Sequence, residues 1–251
     1  MLNIFFSFLN LIDGFLTVFL PLIIRICFYG SITGAIAMGI YYMLSNQSKI
    51  SSLKKNIKDL QQKIMNNNLE YAEFIDLSKE NLKISFLLLL KALGPAVVSS
   101  IPVIIIAFWL QVYFSYSMPQ KGFLLQINPM PEITKLVITS ESLKKIKNNT
   151  YVVISKKTDN ISIYEDSQVV YTGNIFSPAV PVIYKRQWWN ILMENPAGYL
   201  KDASSVEKII FNFSRKPVIK ALPDWISGWE LPYLAFILIA SLTVKIVFRI
   251  Q

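Results

Sequence analysis

Three long apolar runs limit what this chain can fold into. They lie within residues 19–46, 84–117 and 229–251. A helix of about 20 apolar residues crosses the roughly 30 Å hydrocarbon core of a bilayer. Only 16% of the residues are charged, which is low for a soluble protein. The runs therefore predict an α-helical membrane protein with three transmembrane helices.

Residues 1–18, before the first span, are rich in Phe and Leu and contain no Lys or Arg. A signal peptide is not expected, because the segment carries Asp13 and has no small-residue cleavage site. Its apolar side chains fall roughly on one helical face: Phe5, Phe8, Leu9, Ile12 and Phe15. This predicts an interfacial amphipathic helix, and the alternative is that the segment simply begins the first span.

Residues 47–83 are polar and rich in lysine. Apolar side chains recur there at steps of three and four residues, at Ile50, Leu53, Ile57, Leu60 and Ile64. That spacing forms a heptad stripe, and the asparagines at 66–68 interrupt it as a turn would. We predict a cytoplasmic hairpin of two short helices that buries the stripe. The alternative is a solvated linker helix.

Residues 118–228 contain short β-branched runs separated by Asn, Asp, Gly, Pro and Ser. The runs cover residues 122–127, 135–140, 150–156, 160–166, 168–173, 180–185 and 206–213. About seven short strands with regular turn signals predict an all-β, sandwich-like domain or an open barrel. Residues 188–200 interrupt the strands as a loop or a short helix. This domain is inserted between the second and third spans.

The lysines predict how the chain is oriented in the cytoplasmic (inner) membrane. Residues 47–83 are lysine-rich, and Lys245 and Arg249 stand near the end of the chain. Because short cytoplasmic loops are enriched in Lys and Arg, the N-terminus is predicted outside, with the hairpin and the C-terminus in the cytoplasm. The β-domain is then extracytoplasmic. The net charge is +9, and the cations fall in loops beside the apolar spans, where they can bind the anionic head groups of membrane lipids. We therefore expect no nucleic-acid partner.

The composition argues against an enzyme. The chain has no histidine and a single cysteine, Cys27. It therefore lacks Ser-His-Asp and Cys-His chemistry, His-ligated metals and an internal disulfide. No nucleotide-binding loop or paired-carboxylate motif is visible. We expect no cofactor, no metal site and no catalytic residue.

Charged residues within membrane spans are candidates for function. Arg25 lies in the first span and Lys91 in the second, and an ionisable residue in a span is functional by default, although either side chain could snorkel to an interface. Ser99 and Ser100 are further candidates for substrate contact, or else residues of helix packing. Aromatic residues near the span ends predict interface anchors: Trp109, Tyr113, Trp225 and Trp229.

The order of these elements is shared with one known group. An apolar lead (LNIFFSFLNLIDGFL) precedes the first span, and a lysine-rich hairpin follows it. Characteristic residues recur in the later spans: Lys91, Gly94 and Pro95 in the second, and Trp229, Tyr233, Ser241, Lys245 and Arg249 in the third. Over residues 1–117 and 224–251 the chain resembles the YidC-like membrane insertase superfamily. The resemblance is specifically to its minimal three-span branch, found in archaea and in the insertase subunit of the ER membrane complex.

The resemblance implies an insertase that guides membrane segments through a lipid-open, partly hydrated groove on the cytoplasmic side. Arg25 matches an arginine that faces the groove in the YidC branch. The family's connection between the second and third spans is usually short, and its length here suggests a specialised member or a subunit of a hetero-oligomeric complex with other membrane proteins. The alternative is a structural subunit that anchors a β-domain for binding partner proteins of a membrane or envelope complex.

Overall fold

The computed structural model describes residues 2–66, 70–131, 136–147, 149–155, 160–191 and 195–250. Over these residues the chain forms five long helices and one single-turn helix. They are α1 (Leu2–Phe19), α2 (Leu22–Leu44), α3 (Gln47–Asn66), α4 (Tyr71–Phe114), α5 (Trp188–Ile191) and α6 (Glu230–Val247). The asparagines at 67 and 68, part of the predicted turn, lie outside the described residues.

Three of the helices are long and apolar enough to cross a membrane, which confirms the prediction of three apolar helices. They are α2 with 23 residues, α4 with 44 and α6 with 18. Their exposed surfaces are themselves apolar, as on α4 at Phe86, Leu90 and Val97. A helix that exposes apolar residues is suited to lipid, because water would penalise that surface.

Helix α4 contains two elements that the sequence-based prediction separated. The second arm of the predicted hairpin and the second span, divided at residue 83 in the prediction, form one uninterrupted helix that continues through Pro95 and Pro102. The less exposed positions of α4 recur at steps of three and four: Ser78, Asn81, Ser85, Leu88, Ala92, Pro95 and Ser99. The less exposed face of α4 is therefore continuous from its polar N-terminal part into its apolar part. This continuity fits one unbroken helix better than two helices joined by a turn.

The chain divides into two compact units. One, here called the β unit, contains residues 1–25 and about 108–231; the other, the helical unit, contains about 26–107 and 232–251. In the helical unit, α2 approaches α6 at Gly30 and Gly34. A Cβ on Gly30 would lie 2.7 Å from the carbonyl oxygen of Tyr233, and one on Gly34 2.6 Å from that of Ile237. Only glycine allows the two backbones to approach this closely.

The β unit contains eight strands in two antiparallel sheets. The strands are β1 (Leu124–Met130), β2 (Leu136–Thr139), β3 (Leu143–Lys147), β4 (Thr150–Val153), β5 (Ile161–Glu165), β6 (Gln168–Gly173), β7 (Val182–Tyr184) and β8 (Lys208–Phe211). One sheet has the order β3-β4-β1-β8-β7 and the other β2-β5-β6. All seven predicted strands are present. The additional strand, β3, was missed because four of its five side chains are exposed and three of them are lysines.

Buried side chains from both sheets form one hydrophobic core. In β1, exposed and buried residues alternate along the strand, with Leu125 and Ile127 facing the core. Ile163 of β5, from the second sheet, belongs to the same cluster. This alternation is what a strand with one buried face requires. The short helix α5 follows β7, in the segment predicted as a loop or short helix.

Candidate functional site

A cleft in the helical unit contains several polar side chains of the apolar helices. Its volume is about 340 Å³, and α2, α4 and α6 all contribute to its walls. We call it the helical cleft; its lining residues are Ala37, Met38, Tyr41, Ser99, Ser100, Val103, Ile237, Ser241 and Lys245. The walls are mainly apolar, and three serines, one tyrosine and one lysine supply the polar groups.

The serines of the cleft are held by backbone carbonyls. Ser99 Oγ donates to the carbonyl of Ala96 (2.9 Å), and Ser100 Oγ donates to that of Val97 (2.7 Å). Such bonds within a helix satisfy the hydroxyl hydrogen and let serine sit in an apolar helix. Each hydroxyl oxygen can still accept a hydrogen bond, so the α4 wall offers acceptors to a polar group in the cleft.

The α6 wall is fixed to α2 at the glycine contact. Ser241 Oγ donates to the carbonyl of Gly34 (3.3 Å). On the α4 side, the Tyr233 hydroxyl donates to the carbonyl of Val103 (3.1 Å). The three helices that form the cleft are therefore joined by side-chain hydrogen bonds as well as by close packing.

Lys245 gives the cleft a positive charge. Its side chain is exposed, and no carboxylate is among the described residues that line the cleft. Tyr41 adds a phenolic hydroxyl from α2. The cleft therefore offers two donors to an anionic or carbonyl-rich segment, the amine of Lys245 and the hydroxyl of Tyr41, while its serine oxygens can accept from a donor group.

Arg25 has a different environment, inside the β unit. Its Nη1 lies 2.6 Å from the Asp13 carboxylate and also donates to Thr17 Oγ1. The guanidinium carbon is 5.8 Å from the centre of the Phe114 ring. The Arg25 and Asp13 side chains are only 9% and 17% exposed. Arg25 is thus half of a buried ion pair, with its charge compensated by α1.

The amine of Lys216 lies over the ring of Phe114 as well. Its Nζ lies 5.3 Å from the centre of Phe114. Burial lowers the pKa of Lys216, the positive charge of Arg25 lowers it further, and Asp13 acts in the opposite direction. The β unit therefore places two cations and one carboxylate around a single phenylalanine.

The structure places two of the four predicted groove residues in the helical cleft. Ser99 and Ser100 line the helical cleft together, whereas Arg25 and Lys91 are absent from its described lining. The side chain of Lys91 is exposed on α4. The cation of the cleft is Lys245, which the sequence presents only as a basic residue near the end of the third span. Tyr41 was not anticipated, because the face that α2 turns inward depends on Gly30 and Gly34.

Two of the four predicted interface anchors are buried in the β unit. Trp109 Nε1 donates to Asn10 Oδ1 (2.8 Å), and Trp229 Nε1 donates to Ser115 Oγ (2.8 Å). These indoles pack within the protein rather than face lipid head groups, because their N–H groups have protein partners. Trp225 is 77% exposed and Tyr113 is partly buried, so both have surface available.

The predicted heptad stripe is the least exposed face of α3. Ile50, Leu53 and Leu60 are buried, and Ile57 and Ile64 are partly buried. The lysines of α3 are exposed on the remaining surface: Lys49, Lys54, Lys55, Lys58 and Lys63. Helix α3 therefore combines one apolar face with a cationic one, as the spacing predicted.

No protein-family model, curated protein or solved structure matches this chain at a significant level. Among the described residues, no group of three or more Cys, Asp or Glu side chains is placed to hold a metal ion.

Proposed function

We propose that this chain is a multi-pass membrane protein of insertase type that admits the polar part of an incoming segment through the helical cleft. The observation that carries the proposal is the lining of the cleft. Three apolar helices surround a cavity whose polar groups are hydroxyls and the amine of Lys245. A charged group at the bilayer centre costs about 2.5–3.5 kcal/mol or more, and hydroxyl and amine groups within the cleft lower that cost. No covalent chemistry is required.

The resemblance to the YidC-like superfamily supports the same reading, with one change. In this proposal the cation of the groove is Lys245 at the end of α6, and Arg25 is a structural residue paired with Asp13. The basic face of α3 then lies on the cytoplasmic surface beside anionic lipid.

The alternative function is a structural subunit whose β-domain binds partner proteins. What favours it is a β-domain with its own hydrophobic core, at a place where the family that the chain resembles usually has a short connection. At two of the four edge strands, β7 and β6, one backbone carbonyl is, however, already hydrogen-bonded. The Val182 carbonyl of β7 accepts from Asn195 Nδ2, and the Val170 carbonyl of β6 accepts from Lys201 N. Strand addition is therefore less favoured at these two positions.

The function is tested by depleting the protein and restoring it with cleft variants. We expect depletion to reduce a defined set of small membrane proteins, and the double variant Ser99→Leu/Ser100→Leu to fail to restore them while reaching normal abundance. The reason is that two leucines fill the cleft and remove the two hydroxyls of its α4 wall. The readout is quantitative membrane proteomics.

Thr243→Leu is the matched control, because Thr243 is an exposed hydroxyl residue of α6 that bonds its own helix and does not line the cleft. It should restore the set fully. Full restoration by the double serine variant would contradict the insertion function. Loss of a single complex with unchanged small membrane proteins would favour the structural subunit.

The orientation has its own test. In a Cys27→Ala background, cysteines at Lys54 in α3 and Lys144 in β3, both exposed, should react with a membrane-impermeant maleimide from opposite sides of the membrane. Only the residue-144 cysteine should be labelled in intact cells, and both should be labelled after the membrane is opened. Labelling of both in intact cells would refute a cytoplasmic α3 with an extracytoplasmic β-domain.

A further inference from the structure

Two adjoining cavities of the β unit, one apolar and one cationic, have no role in the proposed insertion function. The larger has a volume of about 370 Å³ and lies between residues 108–112 of α4 and the loops around β7 and α5. The smaller has a volume of about 40 Å³ and contains Arg215 and Lys216. Gln111 and Tyr116 line both. Neither cavity shares a residue with the helical cleft.

The larger cavity has an apolar wall. Phe108 and Val112 line one side, and the stretch from Ala179 to Val182 contributes to the other. Its volume is at the lower end of the range of about 300–1,000 Å³ that is common for small-molecule sites. An apolar cavity of this kind binds hydrocarbon, since burying apolar surface is favourable.

The polar residues of the same wall are already hydrogen-bonded within the fold. Asn190 Nδ2 donates to the carbonyl of Lys185 (2.7 Å), and Asn195 Nδ2 donates to that of Val182 (3.1 Å). The Tyr199 hydroxyl donates to the carbonyl of Asn190 (2.7 Å). These groups hold the loops in place, so they offer little to a polar ligand and leave the apolar surface as the binding surface.

The smaller cavity supplies charge. Lys216 and Arg215 line it together with one acid, Glu230, and no ion pair joins Glu230 to either cation within the described residues. The cations therefore outnumber the acid by one. Lys216 is already disfavoured as a cation by burial and by the nearby charge of Arg25, as the direction of its pKa shows. An anion bound here would relieve that cost.

Gln111 stands where the two cavities meet and is oriented by a hydrogen-bonded chain. Trp229 Nε1 donates to Ser115 Oγ, and Ser115 Oγ in turn donates to Gln111 Oε1 (2.9 Å). This uses the carbonyl end of the Gln111 amide and leaves its NH₂ group as a donor. A donor at this point suits the anionic end of a ligand whose hydrocarbon lies in the larger cavity.

We infer that the two cavities form one binding site for an anionic single-chain lipid. The acyl chain occupies the apolar cavity, and the head group, a carboxylate or a phosphate monoester, contacts Lys216, Arg215 and Gln111. The small volume of the cationic cavity excludes a bulky head group. This inference goes beyond the insertion function and stands independently of it.

The test uses photoactivatable probes with the full-length protein in phosphatidylcholine nanodiscs. The probes are a diazirine fatty acid, a diazirine lysophosphatidate and a diazirine lysophosphatidylcholine, and labelled peptides are located by mass spectrometry. We expect the two anionic probes to label the peptides around residues 108–112 and 179–184 much more than the zwitterionic probe does. Their relative yields tell a carboxylate head from a phosphate head.

Two substitutions test the binding of the lipid head group and of the acyl chain separately. Lys216→Gln should reduce labelling of these peptides by the anionic probes about tenfold or more, which corresponds to loss of one hydrogen bond to a charged group. It should leave the zwitterionic probe unchanged. Val182→Trp should abolish labelling of the cavity by every probe while the lipid-facing part of α4 stays labelled. Val112→Phe, which fills the cavity from the helix side, repeats this test should Val182→Trp fail to fold.

The controls are Lys144→Gln, an exposed lysine of β3, and Val137→Trp, an exposed valine of β2. Both should label like the unaltered protein. Equal labelling by all three probes would overturn the inference. So would cavity labelling that survives both filling substitutions, or crosslinking of a polypeptide to the cavity in place of the probes.

Discussion

Replacing Asp13 with alanine is expected to destabilise the protein by about 3–5 kcal/mol, the usual cost of removing one partner of a buried ion pair. The pair it breaks is short, with 2.6 Å between Arg25 Nη1 and the Asp13 carboxylate, and both side chains are largely buried. The variant leaves the Arg25 guanidinium buried without a counter-charge and next to Lys216. The free energy of unfolding is measured by denaturant titration in detergent.

Arg25→Met is expected to cost less than Asp13→Ala. Asp13 would still have the charge of Lys216 nearby, whereas Arg25 without Asp13 would have only another cation. The double variant Asp13→Leu/Arg25→Met should recover most of the loss, because an apolar pair of similar volume is often as stable as the ion pair it replaces. This recovery would mean that the effects of the two substitutions on stability are strongly coupled, as expected for two residues in direct contact.

The exposed pair Asp76–Lys79 in α4 is the matched control. Its charged atoms are 3.8 Å apart, and the side chains of Lys79 and Asp76 are 73% and 81% exposed. Asp76→Ala should change the stability by no more than about 0.5 kcal/mol. If Asp13→Ala were as mild as Asp76→Ala, the buried pair would not stabilise the fold.

A further variant, Arg25→Ala, decides the role of Arg25. An arginine that faces a groove predicts that Arg25→Ala impairs function and leaves the abundance of the protein unchanged. If Arg25 instead holds α1 through Asp13, Arg25→Ala should lower the abundance of the protein, and function should fall only in proportion to that abundance. Abundance in the membrane and activity per molecule therefore have to be measured together.

Gly34→Leu is expected to disrupt the packing of α2 on α6, at a cost of about 1–3 kcal/mol or more. A Cβ at this position would lie 2.6 Å from the carbonyl oxygen of Ile237 and 3.1 Å from its Cα. These are backbone atoms, so the neighbour cannot rotate away and α6 itself has to move. The lower stability is measured by thermal unfolding in detergent. The hydrogen bond from Ser241 to Gly34 would be lost with the close approach, so the cleft should also lose function.

Gly39→Leu is the control in the same helix, since a Cβ there meets nothing within 4 Å. It should be neutral or slightly stabilising, because leucine is the better helix former by up to about 1 kcal/mol. Equal destabilisation by both substitutions would mean that flexibility, and not the approach of α6, is what Gly34 supplies.

Local patterns were sufficient for most elements of this fold. The three apolar helices follow from long apolar runs, and the buried face of α3 at Ile50, Leu53 and Leu60 follows from the spacing of apolar residues. Seven of the eight strands follow from short β-branched runs between turn residues. Such spacing reports which side of a helix or strand avoids water, and that preference is a property of each segment alone. Strand β3 lacked the signal because its lysines face outward, so no alternation was visible.

The candidate site depended on contacts between distant parts of the chain. Nothing near Arg25 in the sequence shows that Asp13 turns back to meet it, so the prediction of a groove charge was made without this counter-charge. Trp109 was read as a lipid anchor, although its partner, Asn10, is 99 positions away. Ser99 and Ser100 were expected in the groove, but the lysine that accompanies them comes from α6.

By itself, then, the sequence determined which segments are apolar helices, which form strands and which surface carries the lysines. Only the tertiary structure decided which charge is neutralised, which tryptophans are buried and which residues share a cavity. The physical reason is that segment preferences depend on residues a few positions apart. Charge pairing and cavity formation depend instead on how the segments pack, and here close approaches such as that of Gly34 to α6 determine it.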